Sequence, residues 1–229
     1  MSNSEIKKWA AQKSEGNKLQ IIIAVIIVGV ISSIVTSILT SILPSNIQTV
    51  ESMGQTIQVN SNQSIYQSIA SLILAPLTIG LIVFVSKIAT DTKAEYGMIF
   101  DKVKNIGNCG RIILTDLIKT IFIVIFTLLL IVPGIIKALS YGLVDYLLAN
   151  SDFDDKSSMD VLNISSDLMN GHKMDLFMLE LYYCVLMILS AFLLFIPLIW
   201  LVPRYHLAKY KFAETLINGY KSGNNSAAA

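Results

Sequence analysis

Charge is scarce in this sequence. Asp, Glu, Lys and Arg together supply 14% of its 229 residues, where a soluble domain carries about a quarter. The deficit excludes an ordinary solvated surface. The net charge of +1 offers no basic footprint, so nucleic acid is excluded as a partner. Cysteine is nearly absent too. Cys109 and Cys184 are the only two and form no CxxC pair, which argues against a disulfide framework or a thiolate metal site. They read as a free thiol and a small buried hydrophobe. HExxH, GxSxG, Walker A and paired catalytic carboxylate motifs are all missing, and with them the recognisable routes to hydrolysis or phosphoryl transfer. The expectation is a protein that is not an enzyme and needs no cofactor. His172, His206 and Asp175 could supply three metal ligands, but nothing in their spacing demands it, and no metal is expected.

What the sequence has in place of charge is long apolar runs; 54% of its residues are hydrophobic. The run Leu19–Leu43 has 25 residues without a charge, and about 20 suffice to cross a bilayer. It is too long for the core of a cleaved signal peptide and reads as a retained anchor. A second span covers about 65–85. The stretches 112–148 and 176–212 would each be about 55 Å long as single helices, nearly twice the hydrocarbon core. Each must fold back. Pro133-Gly134 breaks the first and Pro197 the second. The reading is therefore an all-α, polytopic membrane bundle of about six segments in three hairpins, 19–85, 112–148 and 176–212. The outer turns of the last two are tight and their return arms short. Residues 1–18 form an amphipathic segment with Ile6, Trp9 and Ala10 toward lipid. Residues 96–103 form a surface helix, and 213–229 a partly flexible tail.

The sparse charges are placed asymmetrically. Segments 1–18, 86–111, 151–175 and 204–229 hold 15 of the 17 Lys and Arg residues, and 44–63 holds none. Lys119 and Lys137 are the exceptions. The positive-inside rule then sets a multi-pass protein of the cell membrane with both termini cytoplasmic.

A shift of 64 residues lays Leu129–Pro133 on Leu193–Pro197, Tyr141 on Tyr205 and Tyr146 on Tyr210. A weak internal repeat of helical hairpins is the expectation. On the cytoplasmic side under this topology lie Asp145, His172, Lys173, Asp175, Glu180, Arg204 and His206. They form the candidate polar cluster, with Arg204 or Lys173 expected to pair with Asp145, Asp175 or Glu180 to lower the cost of burial. In segment 156–177, Ser157 and Asp160 make a capping box and Gly171 a helix stop.

Two blocks carry a family resemblance. They are Leu130–Tyr141, and Ser165 with Met169, Gly171-His172-Lys173 and Asp175-Leu176-Phe177. They resemble the bacterial integral membrane family catalogued as domain of unknown function 975, itself distantly similar to the membrane domain attached to some glycerophosphodiester phosphodiesterases. The match runs from about Ala75 to Phe212. This chain departs from the family pattern at Asp145, Asn150, Ser166 and Met174. The resemblance implies a multi-spanning bacterial protein, mostly of Gram-positive species, and no established activity. The expected function is action through the lipid bilayer and a membrane protein or peptide partner, as an exporter accessory or in self-protection against a membrane-active peptide. The alternative is a small transporter or lipid-handling protein, which the repeat and the broken helices favour.

Overall fold

The computed structural model describes residues 2–43, 47–52, 55–60, 62–104, 106–193 and 195–227. Helix dominates them, and five helical stretches, 131–149 taken as one, are long and apolar enough to cross a membrane.

The first helix, α1, is Asn3–Ile42, 40 residues long, which makes it about 60 Å. A capping box starts it: the Glu5 N–H donates to the Ser2 hydroxyl, and the Ser2 N–H donates to Glu5 Oε2 at 2.7 Å. No break separates the expected segment 1–18 from the span that follows. Ile6 and Ala10 are fully buried against protein rather than turned to lipid, because the start of α1 packs on the last helix. An amphipathic stripe does not itself say which apolar phase it faces. Further along, Ile23, Ile26, Val30, Ile34, Ile38 and Ile42 form an exposed stripe at helical spacing, as a lipid-facing helix requires.

Between α1 and the next helix, a short hairpin of two strands is appended to the all-α fold. Strands β1 (Ile47–Ser52) and β2 (Gln55–Asn60) pair antiparallel, Ile47 opposite Asn60 and Ser52 opposite Gln55. The β-branched Ile47, Thr49, Val50, Thr56, Ile57 and Val59 suit strands. Residues 44–46, 53, 54 and 61 of this stretch lie outside the described residues.

Helix α2 (Gln63–Ala89) returns antiparallel along α1. The expected surface helix at 96–103 is instead a 3-10 turn, Tyr96–Phe100, running into the short α3, Asp101–Lys104. It is tucked against α2. Tyr96 stacks on Phe84 with ring centroids 5.4 Å apart, and Ile99 is fully buried. Gly80 permits this approach, since a Cβ there would lie 1.8 Å from the Ile99 carbonyl oxygen.

Helix α4 (Ile106–Leu129) and α5 (Ile131–Ser140) form the next hairpin. The chain turns at Leu130, which is extended, three residues before the expected Pro133. Proline costs nothing where it stands, in the first turn of α5, because N–H groups there have no intrahelical acceptor. Gly134 lets the arms close: its Cβ would fall 2.2 Å from Thr127 Oγ1. The chain breaks again at Tyr141–Leu143 before α6, Val144–Ala149. A second 3-10 turn, Ser151–Phe153, leads to α7, Ser158–Leu168. There the Ser157–Asp160 capping box forms as read, and Gly171 adopts the left-handed φ of 83° beyond the helix end. Helix α8 (Lys173–Phe192) and α9 (Leu198–Ala227) form the last hairpin, with turn geometry at Leu193 and at 195–197 and Pro197 directly before α9. Helix α9 continues unbroken from the hairpin into the 213–229 tail. Its continuity also has no match in the broken α5–α6 arm, so the two hairpins resemble each other in their turns and not in their return arms.

Packing is uneven along the molecule. Phe84, Ile99, Ile112, Leu143, Leu147 and Leu162 are essentially fully buried. They gather where the start of α1, the end of α2, α6, α7 and α9 meet. The tips of the α4/α5 and α8/α9 hairpins are apolar and exposed.

Candidate functional site

Of the seven candidate residues, Asp145 and Glu180 both stand within electrostatic reach of Tyr146, as does Lys209, which also reaches His206, while His172 and Asp175 pair with each other. Asp145, on the first turn of α6, receives Lys119 of α4: Nζ lies 2.9 Å from its Oδ1 and 2.6 Å from Asp116 Oδ1. The expected partner, Arg204 or Lys173, is not there. Lys119, one of the two misfits of the charge asymmetry, is explained by these two carboxylates. Glu180 of α8 pairs with Lys209 of α9 at 2.9 Å, and the Lys209 ammonium also sits over the Tyr205 ring. His172 and Asp175 meet each other at 3.3 Å at the start of α8. Beside them the Asn3 side-chain amide donates to the Asp175 carbonyl. Lys173 is half-buried. His206 meets the edge of Tyr205, which in turn packs on Tyr183. The Nε of Arg204 is buried without a hydrogen-bond partner among the described residues. Among those residues no group of three His, Cys, Asp or Glu side chains stands close enough to hold a metal.

Asp145 is nearly half-exposed, 46%, and Lys119 keeps Asp116 when Asp145 is neutralised. Exposed pairs contribute roughly 0–1 kcal/mol. Asp145→Asn is therefore expected to lower stability in detergent by less than about 1 kcal/mol. A cost well above that in thermal unfolding would mean that the pair locks the hairpin to α6.

Arg111, unremarked in the sequence, is a stronger tie. One guanidinium nitrogen donates to the carbonyls of Phe153 and Lys156, both at 2.7 Å, and the other to Asp154 Oδ1 at 3.2 Å. Lys102 reaches the same carboxylate at 3.2 Å. One turn on, the Thr115 hydroxyl donates to the buried Ser158 hydroxyl at 2.8 Å. Together these fasten the base of α4 to the loop before α7.

Beside these ties an open cleft of about 370 Å³ lies between α2, α6 and α9. Ser86, Lys87, Tyr146, Asn150, Tyr210 and Glu214 supply its polar lining. The Tyr210 phenol donates to Glu214 Oε1 at 3.3 Å, and Lys211 holds the other carboxylate oxygen at 2.7 Å. Burial pushes the Tyr210 phenol up to about 12, with Glu214 adding to it, so it remains a donor at any physiological pH. Lys102 at the cleft edge is spent on Asp154. Lys87 has no ion-pair partner among the described residues, which makes it the free cation of the cleft.

Sequence reasoning did not assemble this cleft. One signal could have found it: Tyr146 and Tyr210, superposed by the 64-residue shift, both line it. Lys87 gave no signal beyond its place at the end of an apolar run.

Residues 120–218 match the model of the family described as Protein of unknown function (DUF975), the family that the two sequence blocks resemble. The matched segment includes every cleft residue named on α6 and α9 and omits Lys87. No curated protein and no solved structure matches the chain.

Proposed function

We propose that this multi-pass membrane protein, whose family is described as of unknown function, acts without catalysis. In this reading it binds a membrane-borne partner in the cleft between α2, α6 and α9. The cleft carries the reading. It is where the Lys87 ammonium, unpaired among the described residues, stands beside the polar side chains of Ser86 and Asn150 at an opening, and such a set recognises a carboxylate or phosphate group. The other cations near it are held in pairs with carboxylates, Lys102 with Asp154 and Lys211 with Glu214. The protein resides in the cell membrane with its charged end and both termini in the cytoplasm, on the strength of the Lys and Arg distribution. The partner is an exporter component that the chain assists, or a membrane-active peptide from which it protects its own cell.

The test is a photo-crosslinking amino acid at Ser86 of the full chain in living cells. The expected result is an adduct of one defined protein or peptide mass, lost on Lys87→Glu. Adducts of lipid mass alone would transfer the cleft to a lipid-handling protein. An unchanged adduct in Lys87→Glu would remove the cleft from the function altogether.

A further inference from the structure

The five apolar helical stretches are long enough to cross a membrane, but length does not set depth. Three observations bear on how far the α4/α5 and α8/α9 hairpins go.

The first is what the tips are made of. No charged residue occurs between Lys119 and Lys137, or between Glu180 and Arg204. Leu128, Leu129, Leu130, Ile131 and Val132 are 65–82% exposed, and Phe192 reaches 82%. The turns are Leu130 and the segment 193–197, with no Gly, Asn, Asp or Ser. A connection that reaches the far headgroups meets water, and such turns carry polar residues. Leu193, Phe195 and Ile196 at the second turn are likewise apolar and more than half exposed. That pattern belongs to a tip in hydrocarbon.

The second is distance along the arms. Lys119 to Leu129 is ten residues, about 15 Å, or half of a ~30 Å core. On the return arms Lys137 lies six residues past Ile131, and Arg204 six past Leu198, about 9 Å from the tip in each case. A tip at the far headgroups would leave both charges inside the far leaflet. A tip near the midplane brings them toward the near interface, where long side chains snorkel. The Lys137 ammonium lies over Tyr141, one turn further from the tip, at 4.7 Å from the ring centroid.

The third is registration against α1. Asn3 meets Asp175, Lys7 sits over Tyr182, Lys211 over Trp9, and Lys18 over Trp200 at 5.6 Å. The α8/α9 hairpin therefore lies beside the first half of α1, and its tip stands close to the level of Lys18. Helix α1 continues for 24 residues past Lys18, about 36 Å. A hairpin that crossed the bilayer would end beside Ile42.

We infer that the α4/α5 and α8/α9 hairpins are re-entrant wedges. Both enter the leaflet adjoining the charged end, turn within its hydrocarbon and leave on the same side. Their partner is the acyl chains of that one leaflet. Only α1 and α2 cross, and only their connection, with its Gln-, Asn- and Ser-rich strands, meets water on the far side. The cross-section then holds six helices in the near leaflet and two in the far one, a wedge shape whose binding responds to bilayer curvature. The inference stands independently of what occupies the cleft.

Depth-dependent quenching tests it. The full chain, with both native cysteines replaced by serine, carries a bimane label on a single cysteine at Leu130 or Ile196. It is reconstituted in phosphatidylcholine nanodiscs brominated either near the chain ends or near the glycerol. Leu43, at the far end of α1, serves as the far-interface reference. The expected result is severalfold stronger quenching of both tip labels by chain-end bromines, with the opposite preference at Leu43. Tip labels that quench like Leu43 would overturn the inference. Should either label impair folding, Val132 and Phe195 are exposed at the same tips and give the same two outcomes.

Discussion

Gly80→Ala should cost about 3 kcal/mol or more, the upper range for overpacking, and Gly80→Val should prevent the charged end from assembling. The added Cβ would lie 1.8 Å from the Ile99 carbonyl oxygen and 2.7 Å from its carbon. These are backbone atoms and cannot rotate aside. The 3-10 turn that carries them is fixed on both sides, by Tyr96 stacked on Phe84 and by the fully buried Ile99 side chain. Relief requires the whole 96–104 segment to leave α2, exposing Ile99 and releasing Lys102 from Asp154. Gly29→Ala is the control. A Cβ there meets nothing within 4 Å, and alanine is favoured over glycine inside a helix by about 1 kcal/mol, so stability should hold or rise. Thermal unfolding of both variants in one detergent reads the difference. A Gly80→Ala protein as stable as Gly29→Ala would contradict the packing.

Ser165→Ala should cost about 2–4 kcal/mol, from leaving two buried backbone groups unpaired at roughly 1–3 kcal/mol each. The Ser165 hydroxyl is fully buried and serves the break between α5 and α6. It donates to the Ser140 carbonyl at 2.9 Å and accepts the Leu143 N–H at 3.3 Å. A chain that leaves one helix and starts another abandons backbone hydrogen bonds, and buried ones must find other partners. This one side chain supplies two of them and joins α7 to the break. Ser68→Ala makes the contrast: its hydroxyl is exposed and bonds only within its own helix, to the Ser64 carbonyl, and its loss should cost less than about 0.5 kcal/mol. Equal midpoints for the two variants would remove Ser165 from its structural role.

Much of this architecture is legible in the sequence because lipid imposes few solutions. Runs as long as 112–148 cannot lie straight in a bilayer, and their turns fell within three residues of the prolines that announced them. The Ser157–Asp160 cap is local and was read directly. What was not legible depends on contacts across the chain. Lys119 finds Asp145 over 26 residues, and no periodicity points there. Ile6 and Ala10 show the same stripe whether a helix or a lipid covers them. The strands at 47–60 are too polar to stand out by hydropathy. The cleft needs α2 beside α9, a pairing across the chain in which α1 packs against both.

The cleft, the charged ties and the start of α1 all lie at one end of the molecule, with His172, Asp175 and Thr215 beside Ser2, and in the topology proposed above that end is cytoplasmic. Labelling by a membrane-impermeant maleimide in intact cells tests this most directly, using full-length proteins with the native cysteines replaced and a single cysteine at Ser61 or Ser157. Labelling is expected at position 61 in intact cells and at position 157 only after the membrane is opened. Labelling of position 157 in intact cells, to the extent seen at 61 or beyond it, would contradict that topology.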